Sequence, residues 1–171
     1  MNKFVSTSTG PVPSTPQPRR GAGSPAFLLA QVGGHAAARF AERLASLRIT
    51  PADAGILRIV QATEGISQQA LGAELSVAPS RLVTLIDDLE KKGVIERRDS
   101  PGDRRSYALY VTSKGRELMK NIGQVARDHQ HALCAALTVE EREQLALLLK
   151  RIADEQGLRP GVHPGFRRLA R

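Results

Sequence analysis

Residues 67–92 limit the possible folds more than any other stretch of the chain. Two segments with helical apolar spacing, 67–75 and 79–92, are separated only by Ser76-Val77-Ala78, so two short helices must turn sharply against one another. Ser67 reads as the N-cap of the first, with Ile66 and Leu71 placed as a hydrophobic staple and Leu71 and Leu75 as the buried face. Pro79 suits the first turn of the second, where a missing N–H leaves nothing unpaired. Leu82, Leu85, Ile86 and Leu89 then recur at helical spacing, and Lys91, Lys92 and Gly93 supply a basic last turn and a stop. With that stripe against a core, Ser80, Arg81, Val83 and Thr84 turn outward near the helix start.

A helix-turn-helix with this outward set can lay its second helix in a DNA major groove. Arg81 can fork onto guanine O6 and N7, Ser80 and Thr84 can bond base edges or phosphate, and Val83 can touch a thymine methyl. A plain helical hairpin with a solvated face shares the pattern, and the segment after the second helix separates the two. Residues 94–98 and 106–112 are short β-rich segments around DSPGDRR, with Pro101-Gly102 at the turn. A hairpin directly after the helix, with Arg104 and Arg105 at its tip, makes a wing suited to a narrow minor groove. Asp103 is placed to brace that loop by accepting hydrogen bonds from turn amides or a neighbouring Arg.

The flanks extend this unit. Ser24-Pro25 opens a helix over about 25–47 carrying Val32, Ala36, Phe40, Leu44 and Leu47 on one face, and Thr50, Pro51 and Asp53 start a shorter one with Ile56, Leu57 and Val60. From Thr112 a long helix runs to about 136 with Ile122, Val125, His129, Leu133 and Ala136 on one face. A capping box at Thr138 and Glu141 opens the last, with Leu145, Leu148, Leu149 and Ile152, until Gly157. The expected fold is mainly α with a small β-hairpin wing, a winged helix-turn-helix plus a helical dimerisation region. Its parts are a Pro-rich disordered arm (1–24), a dimerisation helix (25–49), the DNA-binding region (50–112), two C-terminal dimerisation helices (113–156) and a basic flexible tail (157–171). The outer helices outgrow the small unit, so a second copy is expected to cover them, the alternative being a bundle within one chain.

The formal net charge of +8 lies almost wholly in the ends. Lys3, Arg19 and Arg20 stand without an acid in residues 1–24, and Arg159, Arg167, Arg168 and Arg171 without one in 157–171. Within the nearly neutral remainder, Lys91, Lys92, Arg97, Arg98, Arg104 and Arg105 outnumber Glu96, Asp99 and Asp103 and form a local basic patch. A single Cys excludes a disulfide scaffold and multi-thiolate metal centres. No run of 18 apolar residues and no secretory leader is present, so a soluble cytoplasmic protein on the nucleoid, with no membrane association, is expected. No phosphate-binding glycine loop, nucleophile elbow or acid pair with a base appears, so no enzyme, cofactor or metal is expected.

His129, His131 and Cys134, with His35, have the residue types of a zinc site, but His129 belongs to the apolar stripe and the other two to a different face. A packed His and a small packing Cys fit better. A redox response through Cys134 and a winged helix that binds protein are the alternatives. Phe27, Phe40, Arg39, His35 and Arg58 could line a pocket for an aromatic acid, though each has a plain packing or surface reading.

The order of these elements resembles the MarR family of bacterial transcriptional regulators over about residues 25–156. The most specific part is SQQALGAELSVAPSRLVTLIDDLEKKGVIERRDSPGDRRSYALYVTSKGREL. It is similar to that family's recognition helix ending in Leu-Glu-Lys-Lys-Gly, its wing with an Asp-x-Arg element, here Asp103 and Arg105, and its Leu/Val-Thr-x-x-Gly lead into the next helix. The resemblance implies a homodimer whose first, fifth and sixth helices interdigitate and whose two winged helices read a pseudo-palindromic operator in double-stranded DNA. It also implies a repressor released by a small aromatic or acidic effector. Urate-responsive relatives use a Trp in the effector pocket, and this chain has none.

Overall fold

A computed structural model describes residues 23–100 and 103–158. Along them run α1 (Pro25–Ala45), α2 (Pro51–Ala62), β1 (Ile66–Ser67), α3 (Gln68–Leu75), α4 (Pro79–Lys91), β2 (Ile95–Ser100), β3 (Asp103–Val111), α5 (Ser113–Leu133) and α6 (Val139–Glu155). Five of these helices begin on a side-chain cap that takes a first-turn N–H, supplied by Ser24, Thr50, Ser67, Thr112 and Thr138. Thr50 with Asp53, and Thr138 with Glu141, close reciprocal capping boxes. The tight turn between α3 and α4 holds Ser76 in the left-handed region, at φ 54°.

Several elements differ from the sequence expectation. Helix α1 ends at Ala45 and α5 at Leu133, each two to three residues early, because the chain closes into turns there: Leu47 N–H donates to Leu44 O, and Leu137 N–H to Cys134 O. The sheet has three antiparallel strands in the order β1-β3-β2, where a two-stranded hairpin was expected. Ile66 pairs with Leu109 and Ser67 with Ala108, a contact two residues long and too short to leave a periodic signal. The wing is also longer than expected. Ladder pairing continues from Ile95–Val111 to Ser100–Asp103, with a bulge at Asp99/Ser100, so most of DSPGDRR is strand. Pro101 and Gly102, with the arm 1–22 and the tail 159–171, lie outside the described residues.

The core sits inside the winged helix. Ile56, Leu57 and Val60 of α2, Leu71 of α3, Leu82, Ile86 and Leu89 of α4, and Ile95, Leu109 and Val111 of the sheet are closed to solvent or nearly so. Each such side chain contributes about 1.5–3 kcal/mol of burial. The outer helices supply little to this core: Leu44 from α1, Ile122 from α5 and nothing from α6, which has no buried residue. Instead Phe27, Leu28, Leu29 and Val32 on α1 and Leu145, Leu148, Leu149 and Ile152 on α6 are exposed.

Candidate nucleic-acid interface

Burial of Leu82, Ile86 and Leu89 fixes the rotation of α4, and the four residues expected to face outward do so: Ser80, Arg81, Val83 and Thr84 are all exposed. Among the described residues Arg81 has no ion-pair partner. The Thr84 hydroxyl donates to Ser80 O at 3.3 Å, which leaves its oxygen to act as an acceptor. Helix α4 starts on Ala78 and Pro79 with no side-chain cap, so the N–H groups of its first turn are left without an intrahelical partner. The backbone of Asp103, Arg104 and Arg105 opens β3, and their side chains lie outside the described residues.

The basic patch of residues 91–105 is largely neutralised internally. Lys91 faces Asp88 at 3.9 Å, Lys92 reaches Asp53 at 3.1 Å, Arg97 is forked between Asp87 and Glu90, and Arg98 pairs with Glu96 while its guanidinium lies 4.3 Å from the Tyr110 ring centre. Four of the six cations thus face an acid within 4 Å, and two of them, Lys92 and Arg97, join separate elements. The sequence reading missed these pairs because each partner except that of Lys91 and Arg98 sits on another element.

The start of α5 is tied to the end of α4. Thr112 N–H donates to Val94 O at 3.2 Å and its hydroxyl to Gly93 O at 2.7 Å, while Lys114 Nζ donates to Lys92 O at 2.7 Å. Gly115 is required at this crossing: a Cβ there would stand 2.1 Å from Val94 O. Asp53, only 3% exposed, accepts from Thr50 N–H and from Lys92, so α2 grips the same end of α4.

Among the described residues, none of those considered for an aromatic acid lines the best-defined cleft. That cleft, of about 500 Å³, lies between α3, the start of α4 and Tyr107, away from Phe27 and His35 on α1. His129 instead stacks at a tilt on Phe40, ring centres 5.4 Å apart, joining α5 to α1. Burial, then Arg43 and His35, hold its imidazole below the ordinary histidine range. Among the described residues no group of three or more His, Cys, Asp or Glu is placed to hold a metal ion, and no helix is long and apolar enough to cross a membrane.

The model of the MarR family matches residues 49–106. A putative transcriptional regulatory protein for the hcr operon of Thauera aromatica is 36% identical over 104 residues, covering 61% of this chain and 63% of that protein. The chain thus spans less than two thirds of that relative's length. Wild-type MarR from E. coli in its apo form superposes with a TM-score of 0.68 at 28% identity, over 75% of this chain and 95% of that one. A mutant MarR from E. coli complexed with operator DNA gives 0.63 at 28%, over 74% and 91%.

Proposed function

We propose that the chain, which the MarR family model matches across its winged helix at residues 49–106, is a member of that family and a homodimeric, sequence-specific regulator of transcription that represses by occupying a pseudo-palindromic operator. The observation that carries this reading is the outward row Ser80, Arg81, Val83 and Thr84 on a helix whose opposite face is buried. Arg81, free of any ion pair among the described residues, forks onto guanine, and Val83 meets a thymine methyl. With its proton on Ser80 O, Thr84 accepts from an adenine or cytosine amino group. Ser80 and the uncapped first turn of α4 receive a phosphate. Arg104 and Arg105 enter the flanking minor groove, and Asp103 braces the turn that presents them.

The second copy covers the exposed apolar residues of α1 and α6, which none of the described residues of this chain buries. Two recognition helices then sit one helical turn apart, roughly 34–36 Å. A small aromatic or acidic effector would bind a misaligned arrangement more tightly, and α5 carries the change because its first turn is bonded to the end of α4. The setting is the cytoplasm, on the nucleoid, with no cofactor and no catalysis.

Fluorescence anisotropy of the full chain on labelled duplexes, across a salt series, tests this directly. Steeply salt-dependent binding is expected, with a dimer in sedimentation and a monomer that binds far more weakly for Leu148→Glu. Absence of salt-dependent retention on any duplex would overturn the reading in favour of a protein-binding winged helix.

A further inference from the structure

Along α4, Val83, Asp87 and Glu90 follow one another at steps of four and three residues and so form a single ridge. Arg97 on β2 engages two of the three. Its guanidinium bonds both Asp87 and Glu90, and its backbone N–H donates to Glu90 Oε1 at 3.3 Å. The Arg97 side chain is only 16% exposed, whereas the two carboxylates remain about 40% exposed. A guanidinium so enclosed, with a carboxylate on each terminal nitrogen, has its charge offset within the fold, although it sits in the middle of the basic run. Its planar fork holds two carboxylates at fixed angles, which a lysine ammonium cannot do.

We propose that Arg97 is a positioning residue that locks the wing to the Val83–Asp87–Glu90 ridge of the recognition helix, and so sets the angle between the two DNA-reading elements without touching DNA. The inference rests on the DNA-binding reading above. The ladder ties β2 only to β3, and α4 joins β2 through the short Lys92-Gly93-Val94 link. The base of the hairpin is held in the core by Ile95, Leu109 and Val111, so without the fork it is the part beyond Arg97 that can shift relative to α4, and Arg104 and Arg105 lose their register with Arg81 and Val83. Loss of register lowers discrimination between sequences and leaves the number of phosphates neutralised unchanged.

Three variants of the full chain test this: Arg97→Met, the double variant Asp87→Asn/Glu90→Gln, and all three substitutions together. Each is measured beside the parent on a duplex selected by the parent from a randomised pool and on a random duplex, across a salt series. The ratio of selected to random affinity should fall about tenfold in the first two variants and no further in the combined one, with the salt slope unchanged. The double variant is decisive in sign, because it removes two negative charges from a surface next to DNA and is still expected to bind its selected duplex less tightly. Tighter or equal binding by that variant, or a salt slope reduced by about one in Arg97→Met, would overturn the proposal and make Arg97 a charge contact. Hydrogen exchange reads the lock without DNA: wing amides should exchange faster in Arg97→Met at an unchanged melting temperature, and unchanged exchange would also overturn it. A parent that binds no duplex would instead refute the DNA-binding reading, with the exchange result still deciding whether the lock exists.

Discussion

Replacing Gly115 by Ala should destabilise the protein, although the same change in an exposed helix interior is stabilising by about 1 kcal/mol. The added Cβ would stand 2.1 Å from Val94 O and 2.7 Å from Val111 Cγ1. The first distance is about 1.2 Å inside an ordinary C···O contact. Val94 O is backbone, in a link held by three hydrogen bonds to Thr112 and Lys114 and by its own N–H groups to α4, so it cannot rotate aside. Relief requires α5 to lift from the end of α4, which breaks the bonds from Thr112 N–H to Val94 O and from Thr112 Oγ1 to Gly93 O. At about 1 kcal/mol for each bond and about 1–3 for overpacking, less the helix gain, the net loss is about 2–4 kcal/mol. Gly123→Ala on the same helix is the control, since its Cβ would meet only the flexible Arg127 side chain, at 3.4 Å. Urea unfolding at one fixed protein concentration, as the proposed dimer demands, should move the two midpoints in opposite directions. A Gly115→Ala variant as stable as the parent would refute the argument that α5 is pinned to α4 at this crossing.

Arg81→Ala should weaken binding to a selected duplex by about 1–3 kcal/mol per half-site and change binding to random DNA far less; equal losses on both would make it a phosphate contact. Arg104→Ala and Arg105→Ala should weaken binding to all duplexes and flatten the salt dependence, and an unchanged slope in both would remove the wing tip from the interface. Asp53→Ala removes the acceptor for Thr50 N–H and Lys92 at a site 3% exposed, so thermal unfolding should report a loss of about 2–3 kcal/mol; a loss under about 0.5 kcal/mol, typical of an exposed site, would show the grip on α4 to be idle. The imidazole of His129 is held below its ordinary value of 6.5, first by burial and then by Arg43 and His35. The unfolded chain therefore binds the proton more readily, and stability should decline as pH falls from about 6.5 towards the folded value, then level off. His129→Gln should remove that part of the pH dependence, and identical profiles for the two proteins would discount it.

The helices were legible in the sequence because each carries a start signal and a stripe that agree, as with the cap Ser67 before Leu71 and Leu75, or the first-turn Pro79 before Leu82, Ile86 and Leu89. The outward row on α4 followed from the same stripe, since fixing the buried face of a helix fixes its opposite. Strand β1 was not legible, because Ile66–Ser67 acquires its identity only from pairing with β3. Nor was the fate of the basic run. Charge counting treats Arg97 and Arg98 as equals, yet folding encloses Arg97 between two carboxylates seven and ten residues upstream and leaves Arg98 exposed on Tyr110. Tight crossings such as Gly115 over Val94 O leave a glycine in the sequence without saying what approaches it.

The central claim is that two copies of this winged helix read one face of a duplex through α4. Selection of bound duplexes from a randomised pool by the purified full chain tests sequence preference and symmetry together. The account predicts enrichment of an inverted repeat whose half-site centres lie about 10 base pairs apart, with the preferred bases altered at symmetric positions in Arg81→Ala. Enrichment of an unrepeated site, or no enrichment at all, would contradict it.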